Sequence, residues 1–341
     1  MKKNEIKWLS CLQGFSMLTV VIGHVYDQNA WHYGFIEKYF QDFIYIFHMP
    51  LFMFISGYLF NLTKINNSKP YYLVLKEKVI RLLIPYFSLN ILTFVLKFLF
   101  PKLMNRTVSF SFEQLKQAFI TLDNMPLYEM WFINILFFMM LLYPVYCKII
   151  KNYLLSILFS IITVIIFFFP FNCTFIFDFY KICKYIVFFW LGILTYQYKD
   201  IIKKLNNTII FCFVIVLFLL QYLAYLYYPN IFISFISPII CITFFVQLFY
   251  KIGARNPNLF GTFRNYTYQI FLMGIFIQVF VRIIIFHVFN RNIVTTILLY
   301  ICSIILGLYI PVLISKIILR INFKPINMIF GLPYKDTERI K

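Results

Sequence analysis

Long apolar runs separated by short polar clusters recur along the whole 341-residue chain. Ten of them are about 17–25 residues long, enough for a helix to cross a hydrocarbon core about 30 Å thick. They cover roughly 8–26, 43–62, 82–100, 129–147, 153–170, 182–198, 208–227, 232–250, 266–288 and 294–319. The pattern predicts an all-α polytopic membrane protein of about ten transmembrane helices. It is expected to form one membrane domain over 1–341, with a short tail from about 321. No internal repeat is visible, which weighs against a repeat-built transporter. The longest predicted outer loop, about 101–128, is too short for a separate enzyme domain, so any chemistry belongs to the bundle.

Composition supports this picture. The chain is 62% hydrophobic and 13% charged, against roughly 45–50% apolar and about 25% charged in soluble domains. The net charge of +19 raises the question of nucleic acid. The basic residues, however, lie in short clusters between apolar runs, and pieces such as Lys69-Pro70-Tyr71-Tyr72 are too small to make a binding groove. Topology explains the charge better. With the N-terminus in the cytoplasm, only Lys38, Lys97, Lys102, Arg106, Lys116, Lys181, Lys184, Arg282 and Arg291 fall on the outer side, counting residues at or within span ends. The other 22 of the 31 basic residues are cytoplasmic, as the positive-inside rule requires. An even number of spans then places both termini inside, in a multi-pass protein of the inner or plasma membrane that meets anionic lipid.

The seven cysteines contain no CxxC pair, and no metal-ligand spacing is visible. No metal or permanently bound cofactor is expected. Cys173 and Cys183 flank a short outer loop and could pair in an oxidising compartment. Met1-Lys2-Lys3 is not followed by a small-residue cleavage site, so the first span is expected to remain.

Polar groups inside apolar spans are functional candidates. Gln13 and His24 are eleven residues apart in the first span, or 20° beyond three turns, so both project from one helix face. That face suits a polar path, or a histidine hydrogen-bonded at the headgroup interface. His48-Met49-Pro50 and Ser56-Gly57 interrupt the second span. Pro50 removes a donor for the Ile46 carbonyl, giving either a plain kink or a lined site. Lys76, Lys78 and Arg81 stand at the entrance of the third span, where they suit a phosphorylated ligand such as coenzyme A or anchoring to anionic lipid. Glu129 and Trp131 open the fourth span on the outer side. Trp131 suits the aromatic belt. Glu129 could orient an imidazole or bond a sugar hydroxyl. The ninth span carries Gln278 and, one turn later, Arg282.

With these residues in place, the chain resembles the acyltransferase-3 family of bacterial membrane acyltransferases, which includes fucose 4-O-acetylase-like proteins. The resemblance rests on Leu12-Gln13-Gly14-Phe15 through Gly23-His24, and most specifically on Phe47-His48-Met49-Pro50-Leu51-Phe52 with Ile55-Ser56-Gly57-Tyr58. Arg81-Leu82-Leu83-Ile84-Pro85-Tyr86 and Trp131-Phe132 extend it. Two departures stand out. The family usually has Arg or Lys where Gln13 stands, and Gly274 stands where its ninth span often ends Tyr-Leu-His. The resemblance implies transfer of an acyl group, most often acetyl, from acyl-CoA as co-substrate to a sugar hydroxyl of a surface polysaccharide or its precursor. Succinyl transfer to an exopolysaccharide is the neighbouring alternative, and a polysaccharide or lipid transporter is the alternative from another class. The implied roles are His24 as general base, assisted by Glu129, with Gln13, His48, Ser56, Lys76, Lys78, Arg81, Tyr86 and Trp131 binding substrates. Implied partners are acyl-CoA, a saccharide acceptor, membrane lipids and polysaccharide-assembly proteins, with no nucleic acid.

Overall fold

The computed structural model describes residues 3–25, 35–100, 111–117, 127–171, 178–200, 208–228 and 230–334. Among these residues every regular element is a helix. The elements are α1 (Lys3–Gly23), α2 (Phe35–Phe60), α3 (Tyr71–Lys78), α4 (Ile84–Leu99), α5 (Phe112–Lys116), α6 (Trp131–Leu141), α7 (Tyr143–Ile149), α8 (Tyr153–Phe168) and α9 (Phe179–Gln197). They continue as α10 (Thr208–Tyr227), α11 (Ile231–Arg255), α12 (Thr267–Val288), α13 (Ile293–Ile321) and α14 (Lys324–Ile329).

Nine of the ten predicted spans overlap one α-helix each, and the fourth overlaps two. Among the described residues seven helices are long and apolar enough to cross a membrane, eight if α6 and α7 count as one bent span. α8, with 16 residues, and α1 stand outside that count. α10 shows the membrane character most plainly, with mean hydropathy 2.6 and only 11% of its span window buried in the protein. Phe213, Val216, Leu219, Leu220 and Leu223 on it are exposed, as lipid-facing side chains are.

Local chemistry sets several boundaries. Asn152 and Asn230 cap α8 and α11 by accepting from the Leu155 and Ile233 amides at 3.2 and 3.0 Å. Three elements depart from the predicted spans. α2 stays helical through Pro50, so the proline deletes one backbone bond without breaking the span. The fourth span bends by 52° between α6 and α7, where Pro144 in the first turn of α7 cannot continue the preceding helix. The third begins earlier than the apolar run, because α3 runs through a π-helical turn, Val79–Leu83, into α4. The joined helix, Tyr71–Leu99, has 29 residues and is about 43 Å long. It exceeds the hydrocarbon core by roughly nine residues, which places the charged turn of α3 at or beyond one interface.

The chain divides into two compact units, Met1–Tyr58 with Leu191–Ile314, and Leu59–Trp190 with Ser315–Lys341. In the first unit α1 is buried along most of its described length, a property of a central helix. It packs on α11 and α12. Gly253 of α11 makes this possible, since a Cβ there would lie 2.6 Å from the Trp8 Cα. Phe15 sits between Phe245 and Phe249 at 4.7 and 5.0 Å. In the second unit Trp190 donates to Ser160 at 2.8 Å, Tyr146 packs on Trp190, and α14 lies against α4.

The predicted outer loop 101–128 lies mostly outside the described residues. So does Cys173; its suggested partner Cys183 is buried.

Candidate functional site

In the first unit the polar residues gather where α1 ends. The helix closes at Gly23 with i→i−3 bonds, His24 N to Val21 O at 3.4 Å and Val25 N to Ile22 O at 3.2 Å. His24 therefore sits in the closing turn, just past the helix on which its alignment with Gln13 was reckoned. A helix end leaves carbonyls without partners, and two neighbouring helices satisfy them. The Tyr45 hydroxyl of α2 donates to Gly23 O at 3.2 Å. The Gln278 amide of α12 donates to Val21 O at 2.8 Å. These bonds fix the backbone under His24 and leave its imidazole outside the capping.

Three rings then meet. His24 lies 6.5 Å from Tyr45, nearly parallel, and 6.3 Å from His48, edge-on. Tyr45 and His48 are 4.8 Å apart. His48 is 3% exposed, and its Nδ1 is 2.9 Å from the Ile44 carbonyl. A carbonyl only accepts, so Nδ1 carries a proton in this bond. His24, half-buried, is the more accessible imidazole. Ser56, two turns further along α2, is half-buried.

Gln13 belongs to another neighbourhood. Its amide donates to the Thr267 hydroxyl at 2.9 Å, tying α1 to the start of α12. Close by in sequence, Arg264 donates to the Pro257 and Leu259 carbonyls at 2.6 and 3.1 Å. Where the family usually carries a cation, this chain has a neutral amide bonded to a neutral hydroxyl. At Gly274 a Cβ would come within 3.2 Å of the Gly307 carbonyl, so a side chain there would need its neighbour to give by a few tenths of an ångström.

The second unit holds the cations. Lys78 is half-buried, with its ammonium 5.6 Å from the centre of the Phe60 ring. It lies in the field of Arg81, Lys64, Glu77 and Lys69. Lys76 is exposed and is not among the charges that act on Lys78; two residues is about 200° of helix, so the two project to opposite sides. Of the three predicted donor-site cations, the structure groups Lys78 and Arg81 and sets Lys76 apart. It adds Lys64 and Lys69, both paired with Glu77. Tyr86 is 1% exposed, and its hydroxyl has no hydrogen-bond partner among the described residues. A buried orphan of this kind calls for a water or a ligand.

Glu129 is half-buried in the 3₁₀ turn Tyr128–Met130 that leads into α6. Trp131 is half-buried, with Tyr185 at 5.2 Å and the Lys181 ammonium 5.0 Å from its ring centre. Both belong to the second unit, whereas Gln13, His24, His48 and Ser56 belong to the first. Among the described residues no group of three His, Cys, Asp or Glu side chains could hold a metal.

Sequence reasoning missed Tyr45, Thr267, Lys64, Lys69 and Glu77. Tyr45 had a signal, since it precedes His48 by three residues and so shares its helix face. The pairing of Lys64 and Lys69 with Glu77 had none, because it depends on how the connector between α2 and α3 folds back.

Comparison with curated proteins and with solved structures gives no match. The family model described as an acyltransferase domain, that of the acyltransferase-3 family, matches residues 6–316. The chain belongs to that family and is a membrane acyltransferase.

Proposed function

We propose that this acyltransferase-3 protein moves an acyl group, acetyl first among the candidates, from acyl-CoA to a saccharide hydroxyl of a surface polysaccharide or its lipid-linked precursor. The observation that carries the reading is the capped end of α1, where a half-buried imidazole is held beside a second imidazole bonded through Nδ1 to a backbone carbonyl. His24 accepts the proton of the acceptor hydroxyl as that oxygen attacks the thioester carbonyl; the thiol of CoA leaves. A neutral imidazole suits this task. Lys78 and Arg81 hold phosphates of the donor. The buried Tyr86 hydroxyl binds a substrate polar group, and Glu129 and Trp131 lie on the acceptor side. Deleting the gene is expected to remove O-acyl groups from the cell's surface glycan, and restoring it to return them. Unchanged glycan acylation in the deletion strain would contradict the acceptor class.

The accompanying topology is ten spans in the plasma membrane with both termini in the cytoplasm. It rests on the one-sided distribution of basic residues. A single cysteine placed in 101–128 should react with an impermeant maleimide in intact cells; labelling only after permeabilisation would reverse the orientation.

A further inference from the structure

Within the first unit, a second group of polar residues lies between Tyr45 and the start of α2, where α10 and α11 pack. α2 and α10 run antiparallel there. Tyr222 donates to the Tyr39 carbonyl at 2.9 Å, and Phe43 packs on Phe218 at 5.6 Å and on Tyr222 at 5.1 Å. α10 and α11 are antiparallel as well. Gln221 donates to the Cys241 sulfur at 3.4 Å, and Phe218 stacks on Phe244 at 4.3 Å. These two contacts fix the register, in which each step forward on α10 is a step back on α11. Tyr225, one turn beyond Gln221, therefore stands opposite Ser237, one turn before Cys241. Asp42, next to Phe43, is near enough to act electrostatically on both Tyr222 and Tyr225. Asp42, Gln221, Tyr225 and Ser237 thus share one level of the unit.

Two of the four are unsatisfied. Gln221 is 6% exposed and Ser237 1%. The Gln221 Oε1 and the Ser237 hydroxyl have no hydrogen-bond partner among the described residues. A serine or threonine in a helix commonly bonds back to the carbonyl one turn earlier, as Thr243 does to Ile239 at 2.8 Å. Ser237 does not. Pro238 beside it has no N–H to give the Ser234 carbonyl, which loses its helical donor. Tyrosines near the end of a span are ordinary; buried polar atoms without partners are not. The Asp42 and Gln221 oxygens accept, so the fitting ligand donates. Phe43, Tyr222 and Tyr225 line the same level with ring surface. Hydroxyls around an apolar ring face are the pattern of a sugar residue.

We propose that Asp42, Gln221, Tyr225 and Ser237 bind hydroxyls of the saccharide acceptor, one turn of α2 away from the reacting imidazole. Tyr45 follows Asp42 by three residues, about 4.5 Å of helix rise, and its ring lies 6.5 Å from His24. A sugar residue held at Asp42 therefore brings a neighbouring hydroxyl towards His24. The identity of the ligand rests on the acyl transfer proposed above; its place rests on the register of α2, α10 and α11.

The test uses the full-length protein in nanodiscs with acetyl-CoA as donor. The acceptor probe is surface glycan from a strain lacking the gene, freed of ester-linked acyl groups by mild base. Ser237→Ala and Tyr225→Phe should each raise the KM for glycan about fivefold, the worth of one neutral hydrogen bond. The kcat and the KM for acetyl-CoA should stay as in wild type. Asp42→Asn, which keeps one accepting oxygen, should lose less than Asp42→Ala. Thr243→Val, an exposed change on α11, should do nothing. Melting curves separate binding from packing. Deleting a hydroxyl that bonds nothing in the protein costs it no hydrogen bond, so Ser237→Ala should melt at or above the wild-type temperature while it binds glycan less well. An unchanged glycan KM in both Ser237→Ala and Tyr225→Phe overturns the subsite, as does a fall of kcat, donor binding and Tm together. Thiol release that these variants leave untouched would sink the subsite and spare the proposed function. If wild type releases no thiol, that function fails and the subsite is read from binding alone. Glycan should then raise the Tm of wild type more than that of Ser237→Ala; equal shifts, or none, overturn it.

Discussion

His24→Ala abolishes acyl transfer and leaves a folded membrane protein. Loss of a general base costs about 10²–10⁴-fold in rate, and no other described imidazole in the first unit is equivalent. His48 is committed through Nδ1 to the Ile44 carbonyl and is almost fully enclosed. The fold should tolerate the change because the end of α1 is held by Tyr45 and Gln278 through backbone carbonyls of Gly23 and Val21. The imidazole takes no part in those two bonds. The check is thiol release from acetyl-CoA by purified wild type and variant, beside their melting curves. Turnover near that of wild type would make His24 structural and remove the mechanism. An inactive variant with a much lower Tm would show that the ring, rather than the cap, holds the end of the helix.

Gly192→Ala should have the largest effect on stability. Gly192 lies on α9, and a Cβ added there would stand 2.0 Å from the Phe54 carbonyl oxygen and 2.8 Å from the Tyr58 amide nitrogen of α2. Both obstacles are backbone, so no rotamer change relieves them. Overpacking costs about 1–3 kcal/mol and occasionally more, and a backbone clash belongs at the upper end. Alanine's better helix propensity returns about 1 kcal/mol at most. The expected net loss is about 2 kcal/mol, read as a lower Tm in detergent or nanodiscs. Activity should fall with it, because relief requires α2 to move, and α2 carries Tyr45, His48 and Ser56. An unchanged Tm would mean that the two helices do not approach so closely. Small residues at helix contacts are the usual device for close approach in membranes.

The apolar runs made the helices legible, because length and hydropathy suffice to find a segment that must satisfy its own backbone in lipid. α10 matches its predicted bounds, and the end of α12 falls where its apolar run stops. The start of α3 was hidden because its turns mix apolar and charged residues, and by length they reach the edge of the hydrocarbon or beyond. The bend at Leu142 was hidden for a different reason: α6 and α7 read as one apolar run, and only Pro144 marks the break. In the site, His24 and His48 stood out as ionisable groups in apolar surroundings. Thr267 and Gln278 act on α1 from 254 and 257 positions away, and residues paired across such distances leave no local pattern; Tyr45, 22 positions from Gly23, was legible only as a neighbour of His48 on one helix face. Lys76 shows the opposite case. Sequence proximity grouped it with Lys78, and helical geometry separates them. At the position where the family usually has a charge, the Gln13 amide is satisfied by the Thr267 hydroxyl.

The central claim is that the bundle itself transfers an acyl group from a CoA thioester to a saccharide hydroxyl. Its most direct test is an assay of the purified protein in nanodiscs with acetyl-CoA, measuring free thiol and O-acetyl sugar together. The account predicts thiol release that depends on a saccharide acceptor, with one O-acetyl group formed for each thiol released. Saccharide movement across the bilayer with the thioester left intact would contradict it.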